Sequence, residues 1–289
     1  MSEQSIQQNW TEVIAPKRNI LDVRLSEVWR YRDLIFLFVK RDLSAQYKQT
    51  VLGPLWFLIQ PIFTTLVFFL LFNKLAGIPT DGVPQPVFYM CSIAVWNYFS
   101  MCFVSTSTTF TANANIFGKV YFPRLVMPLS VVISNMLKFA IQLLLLIIIM
   151  AYFFFAGSYT FHFGLNILLF PVCLIIMAAM GLGFGIIISS LTTKYRDLSI
   201  LITFAVQLLM YVTPVAYSLG FVAQKHPQYQ TLIQLNPLSS LIETFRYSLL
   251  GVGFVSTGWF IYSCVCAVAA LVIGVIIFNK VERSFMDTV

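Results

Sequence analysis

The stretch FAIQLLLLIIIMAYFFFAGSYTFHFGLNILLFPVCLIIMAAMGLGFGIIISSLTT, residues 139–193, contains no Asp, Glu, Lys or Arg. A helix crosses the roughly 30 Å hydrocarbon core of a bilayer with about 20 apolar residues, so this stretch is too long for one crossing. It breaks at Gly157-Ser158 and again at His162-Phe163-Gly164, where small and turn-forming residues interrupt the apolar run. The first half joins the charge-free stretch 125–137 across Lys138 into one predicted span. The second half runs to about Leu191 as another. Working outward, 49–73 predicts a span from near Gly53, and 82–118 one from about Val87 to Phe110 with a polar Thr/Asn tail. Residues 198–224 predict a fifth span and 257–279 a sixth.

Composition agrees. Of 289 residues, 59% are hydrophobic and 10% charged, and mean hydropathy is +0.84. Soluble domains lie nearer half apolar and a quarter charged. A disordered tail, a coiled coil and an ordinary cytosolic enzyme are excluded. The expected fold is an all-α membrane protein with six transmembrane helices. The net charge of +7 would suggest nucleic acid in a soluble protein. Here the cations fall between apolar runs and set orientation instead, so no nucleic-acid partner is expected. Fourteen of them fall in the N-terminal segment, the 2–3 and 4–5 loops and the tail; Lys74, Lys225 and Arg246 are assigned to the other side. Both termini are therefore expected in the cytoplasm. Residues 1–33 lack a continuous apolar signal region, so the first span is expected to act as its own insertion signal. The cysteines Cys91, Cys102, Cys173, Cys264 and Cys266 lie in or beside apolar runs and read as buried, inert thiols.

Two segments are apolar on one side only. In 27–48 a helical wheel groups Arg30, Asp33, Lys40, Arg41, Ser44 and Lys48 opposite Ile35, Phe36, Val39 and Leu43, with Arg32 and Gln46 out of pattern. This predicts an interfacial amphipathic helix, either a lipid-surface anchor or also a docking surface. In NPLSSLIETFRYSLL, 236–250, Asn236 and Pro237 form a start signal and Gly251 a stop. Leu238, Leu241, Ile242, Phe245 and Leu249 recur at helical spacing, with Glu243 and Arg246 on another face. Such a helix rises about 20 Å, too short to span. It is expected to be re-entrant or interfacial, just before the last span.

The interior is chemically sparse. The five longest charge-free stretches hold no carboxylate or base apart from His162, which leaves an ion-coupled carrier or an embedded acid/base transferase little to work with. No Walker A loop is present: Asn113 stands where Gly118-Lys119 would need glycine. Uphill movement would need energy from another chain. Lys138 is the one cation well inside a predicted helix. It either snorkels to the headgroups or faces a cavity and meets an anionic substrate group such as phosphate. Gly181, Gly185 and Ser189, at four-residue spacing, read as a close-packing seam rather than a nucleotide loop. Tyr89, Trp96, Asn97, Tyr98 and Phe99 cluster aromatic faces with polar partners, and Tyr211 and Tyr217 flank Pro214, a combination suited to sugars.

The order of a basic amphipathic helix, then Tyr47-Lys48-Gln49-Thr50-Val51-Leu52-Gly53-Pro54-Leu55-Trp56 with Gln60-Pro61, then six spans resembles the permease subunit of ABC-2-type polysaccharide exporters. Phe117-Gly118-Lys119-Val120-Tyr121-Phe122-Pro123-Arg124, Tyr195-Arg196-Asp197 and Leu235-Asn236-Pro237 extend the match, over roughly residues 25–280. The resemblance implies a homodimer in the bacterial inner membrane, bound to two ATP-hydrolysing subunits that carry ATP and Mg, and exporting lipid-linked O-antigen, capsule or teichoic acid. It implies no catalytic, cofactor or metal residue in this chain. The segment 1–24 is cytoplasmic, 25–48 is the interface helix (Arg30, Arg32, Asp33, Lys40, Arg41, Lys48), 49–280 is the transmembrane domain and 281–289 a cytoplasmic tail. ATPase coupling falls to Asn115, Phe117, Lys119, Tyr121, Phe122 and Arg124, with Tyr195, Arg196 and Asp197 as a second contact. Substrate contact falls to Trp56, Tyr89, Trp96, Tyr98, Phe99, Lys138 and Tyr211. A drug or small-lipid exporter of the same class, an ion-coupled carrier and a membrane-embedded transferase are the rival readings.

Overall fold

The computed structural model describes residues 25–286 apart from 49, 118, 121, 161–163, 193, 194 and 196, and only the backbone of 25, 26, 47 and 281–286. The described residues form helices and no strand. α1 (Leu25–Arg30) and α2 (Arg32–Tyr47) are interrupted at Tyr31. The first span opens with a 3-10 turn at Gly53–Leu55, continues as α3 (Trp56–Phe68) and closes with π geometry at Phe69–Leu75. Then come α4 (Gln85–Ser107), the short α5 (Thr109–Ala112) and α6 (Ala114–Phe117), and α7 (Val126–Phe155). α8 (Leu169–Thr192) is entered through a 3-10 turn, followed by α9 (Leu198–Val212), α10 (Leu219–Lys225), α11 (Pro227–Gln234), α12 (Pro237–Leu250) and α13 (Thr257–Met286).

Five segments are long and apolar enough to cross a membrane: Gly53–Leu75, Gln85–Ser107, Val126–Phe155, Leu165–Thr192 and Thr257–Lys280. The fifth expected span, 198–224, differs. Its helix α9 is apolar but has 15 residues, about 22 Å of rise. Pro214 is the cause. It has no N–H to continue the ladder and pushes the residue before it out of helical geometry; Thr213 is extended at ψ 143°. The chain then turns through α10 and α11. The six-helix plan holds with a short fifth member.

α4 is the axis of the bundle. Val87, Phe88, Cys91, Ile93, Ala94 and Cys102 are wholly buried, and α4 packs against α3, α7, α8, α9 and α12. α8 lies between α4 and α13, and glycine makes both contacts. A Cβ at Gly181 would stand 2.8 Å from the Cys102 Cβ, and one at Gly185 2.4 Å from the Thr106 Cβ, both on α4. A Cβ at Gly183, on the other face, would stand 2.6 Å from the backbone carbon of Ala270 on α13. At one end Thr192 donates to the Ser107 carbonyl at 2.8 Å, tying the last turns of α8 and α4.

α12 follows its end signals. The Asn236 side chain accepts from the Leu238 N–H at 3.1 Å, Pro237 is its first residue, and Gly251 closes it at φ 72°. Phe245 packs on Phe170 at 5.3 Å and Phe139 at 6.2 Å. Phe139 lies near the middle of the 30-residue α7, so α12 penetrates to mid-bundle and is re-entrant.

Candidate coupling face and buried polar network

At the end of the bundle opposite α12, α2 lies across the start of α7. Val28, Ile35, Phe38 and Val39 pack with Phe122, Val126 and Met127. Rings continue from there across the face. Phe38 meets Phe122 at 5.7 Å, Phe122 stacks on Phe117 at 5.6 Å, Phe117 meets Phe110 at 5.7 Å, and Phe110 meets Phe278 of α13 at 5.2 Å. Three separate segments are thereby joined: the interface helix, the 109–125 connection and the last span. Aromatic pairs at these separations add about 0.5–1.5 kcal/mol each beyond the area they bury. Cations lie over two rings of this cluster: Arg41 4.8 Å from the Phe38 centroid and Arg124 5.9 Å from that of Phe117.

The coupling candidates divide by exposure. Phe122 is buried and Phe117 and Arg124 half-buried, so these hold the segment in place; Asn115 and Lys119 face outward. Tyr195 and Asp197 are exposed at the α8–α9 connection. Tyr121 and Arg196 lie outside the described residues. On the interface helix Arg30, Arg32, Asp33, Lys40 and Lys48 are exposed, while Arg41 is half-buried and paired with Asp42 at 2.7 Å. Phe36 does not join the packed face that the wheel assigned it. It is exposed with Trp29 and Leu37, so α1–α2 carries a second apolar stripe, suited to lipid.

The aromatic candidates also divide. Trp56 is 53% exposed and Tyr211 60%. Tyr89, Trp96, Tyr98 and Phe99 are buried within the chain. Tyr89 packs edge-on to Phe68 and Phe88, Trp96 beside Phe99, and Tyr98 beside Phe139 of α7. In the single chain these four are packed inside the helix bundle. Lys138 is 6% exposed, its ammonium donating to Asn135 Oδ1 at 3.0 Å.

The structure also brings together a site that the sequence reading did not single out. Glu243 and Arg246 of α12 are wholly buried and paired at 2.9 Å. Arg246 donates further to Ser92 Oγ of α4 at 2.8 Å and to the Pro214 carbonyl at 2.7 Å. Its guanidinium carbon lies 4.0 Å from the Phe88 ring centroid. Glu243 accepts from the Leu219 N–H through Oε1 and the Phe254 N–H through Oε2, both at 2.9 Å. One ion pair thus ties α12 to α4, to the break after α9, to the start of α10 and to the approach to α13. The signal was available: an acid and a base three apart, in a helix too short to span and otherwise apolar, must find partners inside. Among the described residues no cluster of three or more His, Cys, Asp or Glu could hold a metal.

These features define a polytopic α-helical membrane protein with a helical brace across one end and a re-entrant helix at the other. The chain belongs to the ABC-2 type transporter family, whose sequence model matches residues 33–250, and is a permease of that kind. It is similar to the O-antigen export system permease protein RfbA of Klebsiella pneumoniae, 26% identical over 259 residues, covering 88% of this chain and 94% of that protein. It is also similar to RfbA of Myxococcus xanthus, 30% identical over 223 residues, covering 76% of this chain and 81% of that protein.

Proposed function

We propose that this chain is the membrane-spanning subunit of an exporter that moves lipid-linked polysaccharide, O-antigen for preference, across the bacterial cytoplasmic membrane. Two copies form the path. Two ATP-binding subunits, holding ATP and Mg, dock on the α2 end, which faces the cytoplasm together with both termini. The observation that carries the reading is the aromatic series Phe38–Phe122–Phe117–Phe110–Phe278. It fixes the exposed Asn115 and Lys119 to both the interface helix and the last span, so force applied at that segment reaches the bundle. Similarity to the O-antigen export permeases over most of the chain supports the cargo. Exposed Trp56 and Tyr211 are the aromatic faces available to a passing sugar; weak contacts at several sites let a polymer enter and leave.

The test is co-purification with an ATP-binding subunit, followed by reconstitution in proteoliposomes with lipid-linked glycan. ATP-dependent movement of glycan is the expected result. Turnover by this chain alone, or flux that survives ATP depletion and stops with an ion gradient, overturns the reading; preference for a small lipid or drug over glycan moves it to that rival cargo.

Two variants separate docking from transmission. Lys119→Glu is exposed and should change stability by no more than about 0.5 kcal/mol while weakening capture of the ATP-binding subunit. Phe122→Ala removes a buried ring worth about 3–5 kcal/mol from the joint itself. It should lower the glycan moved per ATP hydrolysed with the partner still bound, measured as the ratio of the two rates.

A further inference from the structure

We infer that Ser134, Asn135 and Lys138 of α7 form a seat for the phosphate of the lipid-borne substrate; the identity of that substrate rests on the export reading above. Lys138 has three N–H donors. One is taken by Asn135 Oδ1 at 3.0 Å. The Phe57 ring of α3 lies 5.5 Å from the ammonium and offers a π face, not a hydrogen-bond acceptor of ordinary strength. Among the described residues no carboxylate is ion-paired to Lys138: Asp42, the acid within its electrostatic reach, is held by Arg41 through two contacts of 2.7 and 2.9 Å. Beside the ammonium, Ser134 Oγ and Asn135 Nδ2 are buried without a hydrogen-bond partner. The Asn135 side chain is within reach to donate to the Cys102 sulfur, but a thiol is a weak acceptor and the amide has a second N–H.

The three side chains are 2%, 1% and 6% exposed. Spacings of three and four residues place them on one face of α7. The arrangement therefore presents a cation and two neutral polar groups with unused hydrogen-bonding capacity. Buried polar groups are ordinarily satisfied, and phosphate oxygens would satisfy all three.

Access fits a lipid-borne phosphate. Phe57 lies four residues inside the span that begins at Gly53, and Cys102 five residues from the end of α4. Lys138 itself lies twelve residues along α7 from Val126, about 18 Å, next to the mid-bundle Phe139, and its ammonium reaches back beside Phe57 toward the α2 end. A snorkelling lysine would show its ammonium on the surface; this one is enclosed. Phe57 is half-buried, and its neighbours Leu55 and Trp56 are exposed. One ring thus separates the seat from the surface along which a lipid-borne phosphate would arrive.

The probe is radiolabelled polyprenyl pyrophosphate, bound to the full-length protein in phosphatidylcholine nanodiscs, against polyprenol of the same chain length. The wild type should prefer the pyrophosphate lipid at least tenfold. Lys138→Gln should abolish the preference and Lys138→Arg retain most of it. Ser134→Ala, nearly the same size, should weaken binding threefold or more and carries the test if Lys138→Gln does not fold. Inorganic pyrophosphate should compete only weakly. An unchanged preference in Lys138→Gln, unchanged binding in Ser134→Ala, or no preference in the wild type overturns the inference. So does loss of the preference when phosphatidylglycerol is added at ordinary membrane abundance, since the seat would then serve bulk phospholipid; strong competition by inorganic pyrophosphate does the same in favour of a free anion. Lipid preference without ATP-dependent export would remove the export reading and leave the seat; export without the preference would do the reverse.

Discussion

Replacing Arg246 with Met should leave almost no correctly folded protein. The substitution replaces the aliphatic stem but not the guanidinium, and removes the cation that faces Glu243, so the carboxylate remains at zero exposure with its charge uncompensated. Breaking a buried pair from one side costs about 3–5 kcal/mol, a large part of the 5–15 kcal/mol that typically separates folded from unfolded protein. The loss is not confined to the pair. Ser92 Oγ and the Pro214 carbonyl lose their donor at the same time, so α4 and the end of α9 lose their tie to α12. Glu243→Gln should be damaging for a second reason. The carboxylate accepts at both oxygens, from Leu219 and Phe254. An amide has one oxygen, so whichever way Gln turns, one backbone N–H meets an NH2 group. Gly253 shows how closely the backbone is fitted there: at φ 146° it brings the chain so near that a Cβ would stand 2.8 Å from the Glu243 carbonyl. The double variant Glu243→Gln/Arg246→Met should recover part of the loss, because no unpaired charge remains. The measurement is the yield of monodisperse protein and its thermal midpoint in detergent for the two single variants and the double. Equal losses that simply add would show that the pair does not act as a unit.

The reading of this pair marks where sequence stops informing. Charge-free stretches located the spans, because lipid tolerates few charges and the rule needs no knowledge of neighbours. The ends of α12 were legible for a similar reason: Asn236, Pro237 and Gly251 act on their own backbone. What was not legible depends on what stands opposite. Arg246 was legible only as one of the few cations on the far side of the membrane; that Ser92, more than 150 positions away, stands beside it was not. Tyr89, Trp96, Tyr98 and Phe99 look like sugar platforms until α3, α7 and α8 close round α4. The wheel of α2 sorted residues by polarity, yet the segment has two apolar sides, one against α7 and one holding Trp29, Phe36 and Leu37. Only the partner surface distinguishes them. Pro214 lies between. Its helix-breaking chemistry is local, but an apolar run on both sides suggested that the span continued through it.

The glycine seam yields the second large effect, and here spacing predicted the role before the partners were known. Gly181 and Gly185 face α4, and Gly183, out of step with them, faces α13. Gly183→Val should therefore separate α8 from α13. Even its first added atom would stand 2.6 Å from the Ala270 carbonyl carbon, 2.7 Å from the Leu271 nitrogen and 2.9 Å from the Ala270 oxygen. These are backbone atoms, so no rotamer change relieves the clash. Gly274 answers from the other side, where a Cβ would stand 2.9 Å from the Gly183 oxygen. In a bilayer the loss has little to offset it, because helices associate through close van der Waals contact rather than through expulsion of water. Overpacking typically costs about 1–3 kcal/mol, occasionally more, and the two branches of Val on an immovable neighbour belong at the upper end. Gly185→Ala should be the milder case because Ala adds one atom where Val adds three, though that atom meets the Thr106 Cβ, which its own backbone fixes, so α4 must shift to admit it. Gly258→Ala, near the start of α13, is the control. A Cβ there meets nothing within 4 Å, and Ala is favoured over Gly in a helix by about 1 kcal/mol, so its thermal midpoint should stay level or rise. An ordering of Gly183→Val lowest, Gly185→Ala intermediate and Gly258→Ala at or above wild type is expected. If Gly183→Val keeps the wild-type midpoint, the backbone contact of α8 with α13 is not what holds the bundle together.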